Sequence, residues 1–187
     1  MTWTSFVSFD GIDSLEAQAG SGQMLGWEKP PSSWFQLNVD ETIVLQTSKA
    51  GCGGLVQDSL GHWIVGFSRR IGLCQPNVTK EWAIAEGLQL AWDLDLKKIV
   101  LESNSEEVIN MSLYDFCSIG SNLLMKAKDL LSRDWQVDVR VISRGCNRVV
   151  DTLAKMSISN FAILDACPPY LRNWLDQDCL GLNSSPV

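Results

Sequence analysis

Three short segments of alternating apolar and polar residues are followed by a stretch whose apolar residues recur at helical spacing. This change of period restricts the chain to a mixed α/β fold. Phe35, Leu37 and Val39 alternate with Gln36 and Asn38, the pattern of a half-buried strand ending near Asp40. Gly51 to Val56 reads as a Gly-rich second strand, Asp58-Ser59-Leu60-Gly61 as a turn, and His62 to Ser68 as a third strand. Short turns between them predict an antiparallel meander. Trp82, Ala85, Leu88, Ala91 and Trp92 then predict a long amphipathic helix over about 78–95.

The remaining elements repeat the exchange of periods. Lys97 to Glu102 is a short apolar strand. Ser103-Asn104-Ser105-Glu106 has the form of a capping box and opens a helix through Val108, Ile109 and Met111. A further helix is predicted from about Ser121 to Arg133. Val137, Val139 and Val141 mark a fifth strand, and Asn147 to about Ser157 a last helix. Strands separated by a helix pair in parallel through right-handed crossovers. The expected fold class is therefore α/β: a five-stranded mixed sheet, three strands antiparallel and then two parallel, with helices on both faces.

Residues 1–33 lack clear periodicity and end in the proline-containing connector Trp27 to Ser33, where proline restrains its own φ and its predecessor. The expected division is an N-terminal extension and connector over 1–33, a domain over 34–160 and a C-terminal tail over 161–187. No apolar run reaches the roughly 18 residues needed to span a bilayer. The first twenty residues contain no Lys or Arg, so no secretory or transit signal is expected, and an intracellular site, nuclear or cytoplasmic, is. The six cysteines form no CxxC pair and read as reduced thiols. A net charge of −7 argues against tight, non-specific binding through phosphate neutralisation.

In such a sheet, acids at strand ends and helix starts converge on one edge. Asp40 ends the first strand, Glu81 lies early in the long helix, Asp151 lies in the last helix, and Asn104 follows the fourth strand. This arrangement suits two-metal phosphodiester hydrolysis, in which two Mg²⁺ ions about 4 Å apart activate water and stabilise the leaving oxygen. By spacing alone this signal is weak, and the same acids read more readily as solvated strand ends and helix caps.

The element order and the segments WFQLNVDE, AGCGGLVQDSLGHWIVGFSRRIG, KEWAIAEGLQLAWDLDLKKIVLESNSEEVI and ISRGCNRVVDTLAK resemble the ribonuclease H family. The nearest likeness is to its reverse-transcriptase-like, retroelement-derived branch, abundant in plants. WEKPPSSW and PPYLRNWLDQDCLGL are similar to the flanks found there, so the resemblance covers about residues 27–182. It implies a catalytic set Asp, Glu, Asp, Asp, matched here by Asp40, Glu81 and Asp151, with Mg²⁺ or Mn²⁺ as cofactor and an RNA–DNA hybrid as partner. At the third position the family usually reads E-S-D-S, and this chain reads Glu102-Ser103-Asn104-Ser105. Glu41 replaces a small residue, and Val141 to Cys146 contains no histidine where the family's nucleases often carry one. A Lys/Arg-rich block that grips DNA in some members is also missing.

Asn104 retains a carbonyl oxygen but removes a full charge. Ligand charge falls from four negative to three, against four positive on two divalent ions, and hard ions discriminate between carboxylate and amide. A loss of ~4 kcal/mol in the transition state is about 10³-fold in rate. Asn is equally a good N-cap at the start of a helix, and Glu106 or Glu107 stand nearby as first-turn acids suited to the helix dipole.

Cys52 and Gly53 are expected to let backbone groups meet an RNA strand, whose 2′-OH distinguishes it from DNA. Asn77, Arg144 and Arg148 complete the expected nucleic-acid contacts. Arg140, Arg144, Arg148 and Lys155, with Asp151 among them, form the leading phosphate patch, and Arg69 with Arg70 the second. His62 reads as a surface turn residue, and Trp82 and Trp92 as core. Three functions remain open: a weakened or inactive hybrid-binding domain, an active metal-dependent ribonuclease, and a retroelement-derived protein-interaction module.

Overall fold

The computed structural model describes residues 7–8, 29–105, 122–142, 147–157 and 161–180. Its elements in chain order are β1 (Val7–Ser8), β2 (Phe35–Val44), β3 (Lys49–Gln57), β4 (Trp63–Leu73), α1 (Pro76–Asp93), β5 (Lys98–Ser103), α2 (Asn122–Leu131), β6 (Gln136–Val141), α3 (Arg148–Lys155), β7 (Phe161–Leu164), a 3-10 turn (Pro169–Leu171) and α4 (Arg172–Leu180). The helix expected through Val108, Ile109 and Met111 lies outside the described residues.

The strands form one sheet in the order β1-β6-β5-β2-β3-β4-β7. Its centre is the expected five: β2, β3 and β4 are antiparallel, and β2–β5 and β5–β6 are parallel. Two short strands extend it. Val7–Ser8 pairs in parallel with β6, and Phe161–Leu164 pairs antiparallel with β4, so the sheet continues past the boundary expected at residue 160.

Side chains alternate across a strand, so β2 has two distinct faces. Leu37 and Val39 point toward α1. A Cβ on Gly87 would stand 2.7 Å from Val39 Cγ1 and 3.3 Å from both Leu37 Cδ atoms, so only glycine lets the helix approach this closely. That layer joins Ile84, Leu88, Ile99, Leu101, Leu130, Val137 and Val139 in the main core. On the opposite face α3 lies against β3: a Cβ on Gly53 would meet Ala154 N at 2.6 Å. Leu55, Val149, Val150, Leu153, Leu171 and Leu175 form the second apolar cluster there.

Arg69 ties three elements together. Its guanidinium carbon stands 4.1 Å from the Trp82 ring centre and 5.8 Å from that of Phe161, and Nη1 reaches Glu86 at 2.8 Å. Arg69 is thus engaged in packing and is not an open phosphate contact. Trp92 meets Trp135 edge to face with ring centres 5.4 Å apart.

Candidate functional site

Asp40, Asn104 and the start of α3 meet at the carboxyl-terminal end of the two central parallel strands. The last register pair of β2 and β5 is Val39 with Ser103, so Asp40 and Asn104 are the next residues out on adjoining strands. Asp40 is 5% exposed and its Oδ1 accepts the Glu41 N–H at 2.9 Å. Asn104 sits half-buried in a bend immediately after β5. Ser103 Oγ accepts the Ser105 N–H at 3.3 Å, closing a tight turn around it.

The other two acids come from opposite layers. Helix α1 runs back along β2 from its far end, with Gly87 level with Val39 and Leu37. Glu81 is six residues earlier, roughly 9 Å along the helix at 1.5 Å per residue, which carries it toward the Asp40 end. Asp151 lies in the first turn of α3 on the other face, and Lys155 Nζ approaches its Oδ2 at 2.6 Å.

Two acids and one amide therefore surround one sheet end, with Glu81 directed to the same end. Among the described residues, however, no three His, Cys, Asp or Glu side chains come together to hold a metal ion. The expected metal ligands Asp40, Glu81 and Asp151 are not gathered into a cluster. Close carboxylates without a counter-ion repel, and Asp151 is already neutralised along its own helix by Lys155. With an amide at Asn104, the donor set does not fit a two-ion centre.

Beneath the acids lies a buried polar row. Glu102, 3% exposed, accepts from Gln36 Nε2 and from Asn38 Nδ2, the latter at 3.0 Å. Beside it Arg140 Nη2 meets Asp138 at 2.8 Å. Adding Asp138 corrects the expected phosphate patch. Among its described members, Arg140, Arg148 and Lys155 face Asp138 and Asp151, three cations against two carboxylates. Two of these cations are engaged in ion pairs, Arg140 with Asp138 and Lys155 with Asp151. Arg144 lies outside the described residues.

Cys52 and Gly53, expected to meet nucleic acid, lie on β3 inside the sheet. Cys52 is fully buried, and burial, reinforced by the neighbouring Glu86 charge, pushes its thiol up to about 12. Gly53 is covered by α3 on one face, and its strand is paired on both sides, with Asp40 on β2 and Ser68 on β4. Its backbone groups are spent on the sheet, and the missing side chain admits the helix. Asn77 lies near the start of α1, one residue after Pro76, and Arg148 is exposed at the start of α3. His62 is exposed and meets Asp58 at 2.9 Å. Burial is the largest single influence on Asp58 and raises it, but the N–H groups of His62 and Leu60 and the His62 ring together outweigh it and hold the carboxyl below its usual range.

Two connections were beyond sequence reasoning. Asn147 Nδ2 donates to Val39 O at 3.1 Å across 108 positions, and Ser68 Oγ donates to Leu153 O at 2.8 Å across 85. Asn147 was visible only as the first residue of an N-x-x-x-D segment; nothing in its spacing reveals a partner on β2.

Comparison with known proteins agrees with this geometry. The family model described as reverse transcriptase-like matches residues 38–157. An Arabidopsis thaliana protein that bears the name of a ribonuclease H protein is 30% identical over 165 residues, which are 85% of this chain and 26% of that protein. The chain thus spans about a quarter of the curated relative it matches. Among solved structures, RNase H1 from the archaeon Halobacterium salinarum is similar with a TM-score of 0.60 at 19% identity, covering 67% of this chain and 97% of its own. The N-terminal RNase H domain of a Mycobacterium tuberculosis protein gives 0.60 at 20%, covering 67% and 93%. LC11-RNase H1, solved in complex with an RNA/DNA hybrid, gives 0.56 at 20%, covering 66% and 96%.

Proposed function

The chain belongs to the reverse transcriptase-like family and carries the ribonuclease H fold, and from that premise we propose that it is a nucleic-acid-binding domain whose cleavage chemistry is weakened or lost. The observation that carries this reading is Asn104, an amide standing beside Asp40 at the end of the parallel strands. One missing charge there leaves three carboxylates to offset two divalent ions, a deficit that hard oxygen ligation does not readily absorb. The favoured ligand is an RNA–DNA hybrid, supported by the hybrid complex of a structural neighbour. The magnesium or manganese implied by the family does not fit this donor set as a pair.

The test compares wild type, Asn104→Asp and Asp40→Asn on an RNA–DNA hybrid with Mg²⁺ or Mn²⁺, scoring cleavage and binding separately. The expected result is binding by all three, with cleavage only in Asn104→Asp. Robust wild-type turnover abolished by Asp40→Asn would instead establish an active ribonuclease. Internal pairing of Arg140 and Lys155 favours a second reading, a protein-interaction module, and absence of hybrid binding by every variant would select it.

A further inference from the structure

Asn147 occupies the N-cap of α3 without capping it. An N-cap asparagine ordinarily turns its side-chain oxygen onto an N–H of the first helical turn. Here the backbone stands at φ −117° and ψ 27°, and the side chain makes no cap hydrogen bond. Its Nδ2 instead crosses to Val39 O at 3.1 Å. That carbonyl belongs to the peptide bond that leads into Asp40. The orientation is fixed by chemistry, since a carbonyl only accepts and the amide nitrogen must face it. The residue is 2% exposed, and its Oδ1 is buried without a hydrogen-bond partner among the described residues.

The backbone of the same residue reaches the other acid. Asn147 O accepts the Asp151 N–H at 2.9 Å. One residue is therefore bonded by its side chain to the peptide before Asp40 and by its main chain to Asp151. At its far end α3 is held differently, by Ser68 Oγ on Leu153 O and by close contact with Gly53. Those contacts seat the helix on the sheet. Asn147 sets where its acid-bearing end stands against β2.

We infer that Asn147 is a positioning residue that couples Asp40 to Asp151, giving up the helix cap to do so. This rests on reading Asp40 and Asp151 as acids of one site. A constellation of this kind must be held to within about 0.5 Å to act together, and supporting groups one bond removed from ligands typically govern metal affinity by roughly 10–100-fold.

The test uses the full chain with Asn147→Ser or Asn147→Asp, each alone and with Asn104→Asp. Serine caps the helix well but is too short to reach the strand. Aspartate keeps the shape and caps, yet donates nothing, so it serves where serine fails to fold. In crystal structures of the metal-free single variants, the Asp40–Asp151 separation is expected to change by more than about 0.5 Å. In the Asn104→Asp background, Mn²⁺ affinity is expected to fall at least about tenfold on Asn147→Ser. An unchanged separation overturns the inference, whatever happens to Mn²⁺ affinity, because the Asn147–Val39 hydrogen bond would then hold the fold without placing the two acids. If Asn104→Asp gains no Mn²⁺ binding at all, the site reading fails, while the separations still decide the role of Asn147.

Discussion

Leu37 and Val39, on one face of β2, meet Gly87 and the helices that close the main core, whereas Gln36, Asn38 and Asp40 carry polar groups inward on the other. Both faces are buried to similar degrees, yet by different means. The first is fixed by shape, and its contacts are satisfied by any neighbour that fills space. The second depends on partners: Glu102 takes two amide donors, while Gln36 Oε1, Asn38 Oδ1, Asp138 Oδ1 and Asn147 Oδ1 have no hydrogen-bond partner among the described residues. This face holds an excess of acceptors next to the acid end. The contrast teaches that one strand carries apolar packing and buried polar groups at once by assigning them to alternate residues.

Three measurements bear on that contrast. The largest effect is expected from Leu37→Ala, which opens a cavity under a fully buried side chain and should cost roughly 3–4 kcal/mol in denaturant unfolding. A loss under about 1 kcal/mol would mean that the core face repacks freely. Next, Glu102→Ala strands the donors of Gln36 and Asn38 and should cost about 2 kcal/mol. If stability rises instead, the polar row is a burden that the carboxylate maintains.

The third is a pH effect on the closed face. With its folded thiol pushed up to about 12 from an ordinary 9.0, Cys52 binds its proton more tightly folded than unfolded. Its contribution to stability is therefore complete below about pH 9 and is lost as pH rises from there toward 12. At pH 8 the native thiol should resist alkylation followed by mass spectrometry, and rapid labelling under native conditions would show that this face opens.

The sequence exposed the central elements because their periods are strong: Phe35 to Val39 and Val137 to Val141 alternate, and Trp82 to Trp92 keeps helical spacing. The edge strands were illegible for physical reasons. Val7–Ser8 is too short to show a period, and Phe161–Leu164 is apolar throughout, with no polar residue to mark its faces. The acids were legible as chemistry, and Asn104 as a departure just after its strand, but the strand expected to end near Asp40 continues to Val44, because Thr42, Ile43 and Val44 go on pairing with β3. The mutual arrangement of the acids was not legible, since it depends on Asn147, Lys155 and Asp138, whose roles arise only from pairing. Lys155 shows the difficulty: i,i+4 spacing offers it to Asp151, while charge counting offers it to phosphate, and the structure takes the first.

The two outermost strands have a consequence for how copies of this domain tolerate crowding. An exposed sheet margin is a template on which another chain can pair, and the risk grows with its length. Here the described outermost strands are two and four residues long and pair with only part of β6 and β4. At the longer one Phe161 and Ile163 are 43% and 42% exposed, so brevity, more than polarity, is what denies a stable register to a neighbour.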